Sequence, residues 1–203
     1  MSDYFKKMEK KDAKNLKNFN EKVKWFNELE YNEEFARIDA MAKDKKGRKT
    51  HIEVKQRTKK YSDFTAFTKA FDTIYLDTGK LETLSQIMLS GHALDEQELF
   101  ISIFNDGNVI VVHNLNKKQP MMWLPNQRVW NEGKKKFEYE HRVGLYWWEG
   151  MIYEKQPNGE YRRWTDDEIR WHKIMTQSSK KEDEMQEENH LDLQREIINI
   201  LEE

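Results

Sequence analysis

The chain has 203 residues, 35% charged and 37% hydrophobic, with a formal net charge of −2, so affinity for a polyanion has to come from a local basic surface. It contains no cysteine, which excludes disulfides, thiolate metal sites and a cysteine nucleophile. No apolar run reaches the length of about 18 residues that reads as a membrane span, and no charged-then-apolar leader opens the chain, so we expect a cytoplasmic protein with no membrane partner.

Leu16, Phe19, Val23 and Phe26 recur at spacings of three and four and predict an amphipathic helix over the first thirty residues. Strands are expected at 35–42 and 50–57, joined by a hairpin turn over Lys43 to Lys49 that contains Gly47. Ser62 ahead of Phe64, Phe67 and Phe71 suggests a short capped helix. Thr73 to Asp77 reads as a third strand, after which Asp77 or Thr78 caps a helix carrying Leu81, Leu84, Ile87 and Met88. Leu99 to Phe104 and Val109 to His113 form two apolar runs split by the turn signal Asn105-Asp106-Gly107-Asn108.

Beyond residue 115 the composition shifts toward Trp and Lys. Phe137 to Glu140 and Tyr146 to Tyr153 are expected strands. Thr165-Asp166-Asp167-Glu168 is a capping box opening a helix with Ile169 and Ile174. Residues 177–190 are almost wholly polar, and Leu191, Leu193, Ile197, Ile198 and Leu201 give the end a weak apolar stripe. The expected class is α+β: helix, three strands, helix and two strands over 1–115, an aromatic-rich β extension over 116–176, and a charged tail or helix over 177–203.

The most informative run is Thr50-His51-Ile52-Glu53-Val54-Lys55-Gln56-Arg57. Glu53 and Lys55 alternate with Ile52 and Val54, so on a strand the charged pair leaves one face while the aliphatic pair enters a core. Folding the hairpin brings Asp39 beside them. Two carboxylates on neighbouring strands suit a hard divalent cation such as Mg²⁺, and a nearby lysine offsets charge on a phosphorane, which favours phosphodiester hydrolysis over acyl transfer.

Asp39 with Glu53-Val54-Lys55 resembles the motif of the PD-(D/E)XK nuclease superfamily, over roughly residues 12–115. The resemblance implies Asp39 and Glu53 as metal ligands, the Val54 carbonyl as a further ligand and Lys55 as the catalytic lysine, with Mg²⁺ or Mn²⁺ as cofactor. Ile38 stands where relatives commonly carry proline. Such sites often take another acid from the first helix, and Glu30 is chosen because a helix would put it on the face of Val23 and Phe26. Lys80 and Gln86, on the helix after the third strand, correspond in place to substrate-contacting residues of similar nucleases.

Nine Lys or Arg face two acids between Lys43 and Lys60, and Arg57 and Lys59 are the expected phosphate contacts there. His51 shares the strand parity of Glu53 and is given a structural role. Trp123, Trp130, Trp147, Trp148 and Trp164 lie among Lys134, Lys135, Lys136, Arg142, Arg162 and Arg163, a mixture that can stack on nucleobases and bind single strands; the preferred reading is that they finish a hydrophobic layer, with at least one ring of Tyr146-Trp147-Trp148 exposed. The expected activity is a Mg²⁺-dependent deoxyribonuclease of phage or mobile-element type, with nucleic acid as partner and a homodimer left open. The alternatives are a non-cleaving nucleic-acid- or partner-binding module on the same fold, and an adaptor acting through the C-terminal helix.

Overall fold

The structure is a computed structural model that describes residues 3–32, 38–57, 63–87, 96–117, 119–131 and 135–181. It is an α+β molecule. Helix α1 (Asp3–Val23) leads into β1 (Phe26–Tyr31), β2 (Ala40–Asp44) and β3 (Lys49–Gln56). Helix α2 (Phe64–Ala70), β4 (Thr73–Asp77) and α3 (Thr78–Ile87) precede β5 (Glu96–Phe104) and β6 (Val109–Asn114). Then come β7 (Met121–Asn131), β8 (Lys136–Tyr146), β9 (Met151–Lys155), β10 (Tyr161–Arg163) and a final helix α4 over 166–181.

Seven strands form one sheet in the order β1-β2-β3-β5-β6-β9-β10. The first three are antiparallel neighbours, β3 and β5 run parallel, and β6, β9 and β10 alternate from there. A parallel neighbour requires a long crossover, and the chain from β3 to β5 provides it through α2, β4 and α3. A second sheet, β4-β8-β7, joins that crossover to the aromatic-rich region. Strands from beyond residue 115 thus complete both sheets.

Each face of the large sheet buries its own core. On one, Leu16 and Phe19 of α1 pack on Ala40, Ala42, Ile52, Val54, Leu99, Ile101 and Ile103. On the other, Phe100, Phe104, Val109 and Val111 meet Phe64 and Phe67 of α2, Ile74 and Leu76 of β4, Leu84 of α3, and Val143, Leu145 and Trp147. The alternation Ile52/Val54 against Glu53/Lys55 is therefore realised, with the aliphatic pair under α1. Gly144 lets β4 and β8 close up, since a Cβ there would lie 2.8 Å from the Thr73 Cβ.

Several boundaries differ from expectation for identifiable reasons. The first helix stops at Val23, and residues 26–31 are a strand. Lys24 takes φ 52°, and Asn20 clasps the turn by accepting from Phe26 N at 2.7 Å and donating to Phe26 O at 3.1 Å. A register shift between Phe26 and Glu28 then puts Phe26 and Leu29 on the same core although they are three residues apart, which imitates helical spacing. Asp63, rather than Ser62, caps α2 by accepting from Ala66 N at 2.8 Å. The strand expected over 146–153 is broken by a 3-10 turn at Trp147–Glu149 that drives Trp147 into the core. Thr73 to Asp77 is a strand, but of the second sheet. The Thr165–Glu168 capping box forms reciprocally, Thr165 N to Glu168 Oε2 at 2.7 Å and Glu168 N to Thr165 Oγ1 at 3.2 Å. The stripe at 191–201 lies outside the described residues.

The hairpin that presents the candidate site is locked by Asp44, whose buried carboxylate accepts from Lys46 N (2.8 Å), Arg48 N (2.9 Å) and Arg48 Nε (2.7 Å). Gly47, at φ 78°, supplies the left-handed position of this turn. Replacing Asp44 with alanine leaves these donors without their acceptor, and we expect a loss of roughly 1–3 kcal/mol in denaturant unfolding. Unchanged stability would show that the turn does not depend on this carboxylate.

Candidate active site

The β2–β3 ladder ends at the pair Ala40↔Ile52. One step further, β2 bends away at Ile38 and Asp39, and the Val54 N–H donates instead to Asp39 Oδ2 at 2.7 Å. Continuing the register puts Asp39 opposite Glu53, and their carboxyls interact side chain to side chain. In an extended strand a residue's N–H and C=O leave the same edge, so the Val54 carbonyl faces the notch that Asp39 borders. The sequence motif is thus assembled by one peeling strand.

Lys80, in the first turn of α3, spans the two acids, with Nζ 2.9 Å from Glu53 Oε2 and 3.8 Å from Asp39 Oδ1. Lys55 points to the same side of β3, and its ammonium lies 3.4 Å from Asp77 Oδ2 at the end of β4. Arg142 of β8 closes the row, Nε 3.3 Å from Asp77 Oδ1 and Nη2 3.0 Å from Glu140 Oε2. The result is an alternation of acids and bases across the rim between the two sheets.

Burial, followed by the neighbouring Asp39 carboxylate, raises the Glu53 pKa to about 8, with Lys80 opposing the shift. Lys80 is itself weakened as a cation by burial, yet Glu53, Asp39 and Asp77 together raise its pKa. Two crowded carboxylates with oxygen donors only fit a hard divalent cation, which would remove their repulsion. Among the described residues no group of three or more His, Asp or Glu converges on one point. The set suits an ion that keeps most of its waters, as Mg²⁺ does.

Other expected site residues are placed differently. Glu30 belongs to β1, not to a helix, opposite Met41 and one row from Asp39; the charge it is seen to influence is Lys43. Arg57 is turned inward: Nη2 donates to Tyr75 O at 3.2 Å, its guanidinium lies 5.9 Å from the Phe67 ring centroid, and burial, then Arg142, lower its pKa to about 10. It ties β3 to β4 rather than facing phosphate. Lys59 and the Gln86 side chain lie outside the described residues. His51, on the Glu53 face, bonds Glu96 through Nε2 at 2.9 Å, a structural contact.

The basic hairpin is partly neutralised at its tip, where Lys43 pairs with Glu28 at 2.7 Å, Arg48 with Asp44 at 2.6 Å and Lys49 with Glu96 at 3.7 Å. In the sequence Arg142 is one of several bases among the aromatics, and only the long-range register Asp77↔Arg142 brings it to the acidic site. No family model, no curated protein and no solved structure matches the chain. No helix among the described residues is long and apolar enough to cross a membrane.

Between its ordinary pKa of 4.5 and about 8, the folded protein holds a proton on Glu53 that the unfolded chain has released, so this group's stabilising contribution falls as pH rises through that window. A cation binding Glu53 has to displace that proton. Calorimetric titration of Mn²⁺ at about pH 7, in buffers of different ionisation enthalpy, should show release of up to about one proton, falling toward zero near about pH 9 and absent in Glu53→Gln. Binding with no proton release at neutral pH would contradict this assignment.

Proposed function

We propose that the protein is a divalent-cation-dependent nuclease of the PD-(D/E)XK type acting on DNA. The observation that carries this reading is the pairing of Asp39 with Glu53 on a notched strand edge, with Lys55 and Lys80 on the same side. The strand order also supports it: a helix and three antiparallel strands precede a helical crossover to a strand parallel to the third.

Asp39, Glu53 and the Val54 carbonyl are the groups that would hold Mg²⁺ or Mn²⁺. The cation's part is Lewis acidity toward the phosphodiester and its attacking water. The chain's own contribution is orientation and charge. The Val54 N–H fixes one Asp39 oxygen, so this carboxylate is aimed before any ligand arrives. Burial and Asp39 shift Glu53 toward its neutral form, Lys80 opposes that shift, and further positive charge would favour the ionised form. Lys55, with its side chain 38% exposed, is open to a substrate phosphate and can balance charge building on its oxygens. Lys80 bridges the two carboxyls and would offset their charge wherever a cation did not.

The bridge from Lys80 to both acids also favours a second reading, a nucleic-acid-binding module in which this ammonium permanently substitutes for a metal. Incubating supercoiled and single-stranded DNA with the full chain in Mg²⁺, Mn²⁺ or EDTA separates the two. The nuclease reading predicts metal-dependent cutting that falls at least about 100-fold in Glu53→Gln and in Lys55→Ala, with DNA binding retained by the latter. Binding without cutting under every metal condition assigns the inactive module. Cutting that survives Glu53→Gln removes this site from the chemistry.

A further inference from the structure

Strands β7 and β8 are each eleven residues long, but β4 pairs with β8 only over Arg142–Tyr146. The remainder, Pro125–Asn131 and Lys136–His141, is a two-stranded ribbon extending roughly 20 Å from the sheet. Its two faces differ in chemistry. Register puts Trp123, Arg128, Phe137, Tyr139 and His141 on the face continuous with Val143 and Leu145. Trp123 stacks on His141 (ring centroids 5.9 Å apart, 15° between planes), and the Arg128 guanidinium lies 4.0 Å over the Phe137 ring. Trp123 is 60% exposed, Phe137 52% and Tyr139 72%.

Among the described residues this face bears no carboxylate. Glu138 and Glu140 project from the opposite one, where Lys136 lies 3.3 Å from Glu138 and Arg142 lies 3.0 Å from Glu140. Aromatic rings, an arginine and a histidine with the acids segregated behind them suit a ligand that has both flat apolar rings and negative charge. The base of the ribbon also adjoins the candidate site. Arg142 meets Asp77, and the His141 carbonyl accepts from Thr78 Oγ1 at 3.1 Å, two residues before Lys80.

We propose that this face binds single-stranded nucleic acid, stacking unpaired bases on Trp123, Phe137 and Tyr139 while Arg128 meets the backbone. The choice of occupant rests on the nuclease reading above. Every base presents a π-face, so such binding is tolerant of sequence and is lost with the rings.

The test uses the full chain in EDTA, so that binding is read without cleavage, by fluorescence anisotropy of labelled oligo(dT) and of an abasic strand of equal length. The expected result is weaker binding of the abasic strand than of oligo(dT), and an approximately 10–100-fold loss of oligo(dT) affinity in the Trp123→Ala/Tyr139→Ala double variant. Circular dichroism verifies that the variant is folded, and hydrolysis of bis(p-nitrophenyl) phosphate, assayed separately in Mn²⁺ and too small to reach the ribbon, stays at the wild-type rate. Equal affinity for the two strands, unaltered binding by the variant, or an effect confined to duplex DNA overturns the proposal. So does a variant that changes only self-association in sedimentation, which would make this face a contact between two copies. Metal-dependent cutting with base-independent binding sinks this inference alone. Base-dependent binding without any cutting sinks the nuclease reading alone.

Discussion

The hydrogen bond from the Val54 amide to the Asp39 carboxylate, 2.7 Å long, is the contact on which the arrangement rests. A strand edge normally satisfies such an amide with a neighbouring carbonyl. Here β2 has already turned away, and a side chain takes the carbonyl's place. The exchange does two things together. It leaves no unsatisfied donor at the half-open edge, and it anchors an acid against Glu53 on the adjacent strand. Ile38 shows how abrupt the turn is: it packs with the second-sheet core, whereas Ala40, two residues on, packs under α1.

Electrostatics explains why the gathered charges are tolerable. Glu53 is buried and lies against another acid, a costly position for an ionised carboxylate. Lys80 offsets this from α3, Lys55 is drawn to Asp77, and Arg142 approaches the same aspartate from the far strand. Each base comes from a different element, so the two sheets and the crossover helix have to be docked before the row of charges exists. On the proposed nuclease reading, an incoming phosphate and cation would carry the same signs that these side chains now supply to one another.

Much of the site was legible because it follows from local rules. Strand alternation gave Glu53 and Lys55 one face, Gly47 marked the hairpin, and helix placement brought Lys80 near. The capping box at Thr165 formed as its spacing required. What was illegible depended on non-local or exceptional geometry. Phe26 continues the helical spacing of Leu16, Phe19 and Val23 although the helix ends at Val23, so Glu30 was given a helical face it does not have. Arg57 continues the alternation of Glu53 and Lys55, but the strand passes under α2 and β4 there, so burial overrides the expected phosphate contact. Arg142 enters only through pairing between strands more than sixty residues apart. Trp147 and Trp123 look alike in sequence, yet one is fully buried and the other largely exposed, because one sits on a turn folded into the core and the other where a ribbon leaves it.

The central claim is that Asp39 and Glu53 grip one cation, and anomalous diffraction from crystals soaked in Mn²⁺ tests it most directly. The account predicts an anomalous peak between the two carboxylates and the Val54 carbonyl, with the Lys80 ammonium displaced from Glu53, and no such peak in crystals of Asp39→Asn. A saturated soak that leaves Lys80 bridging both acids, with manganese elsewhere or nowhere, would contradict it.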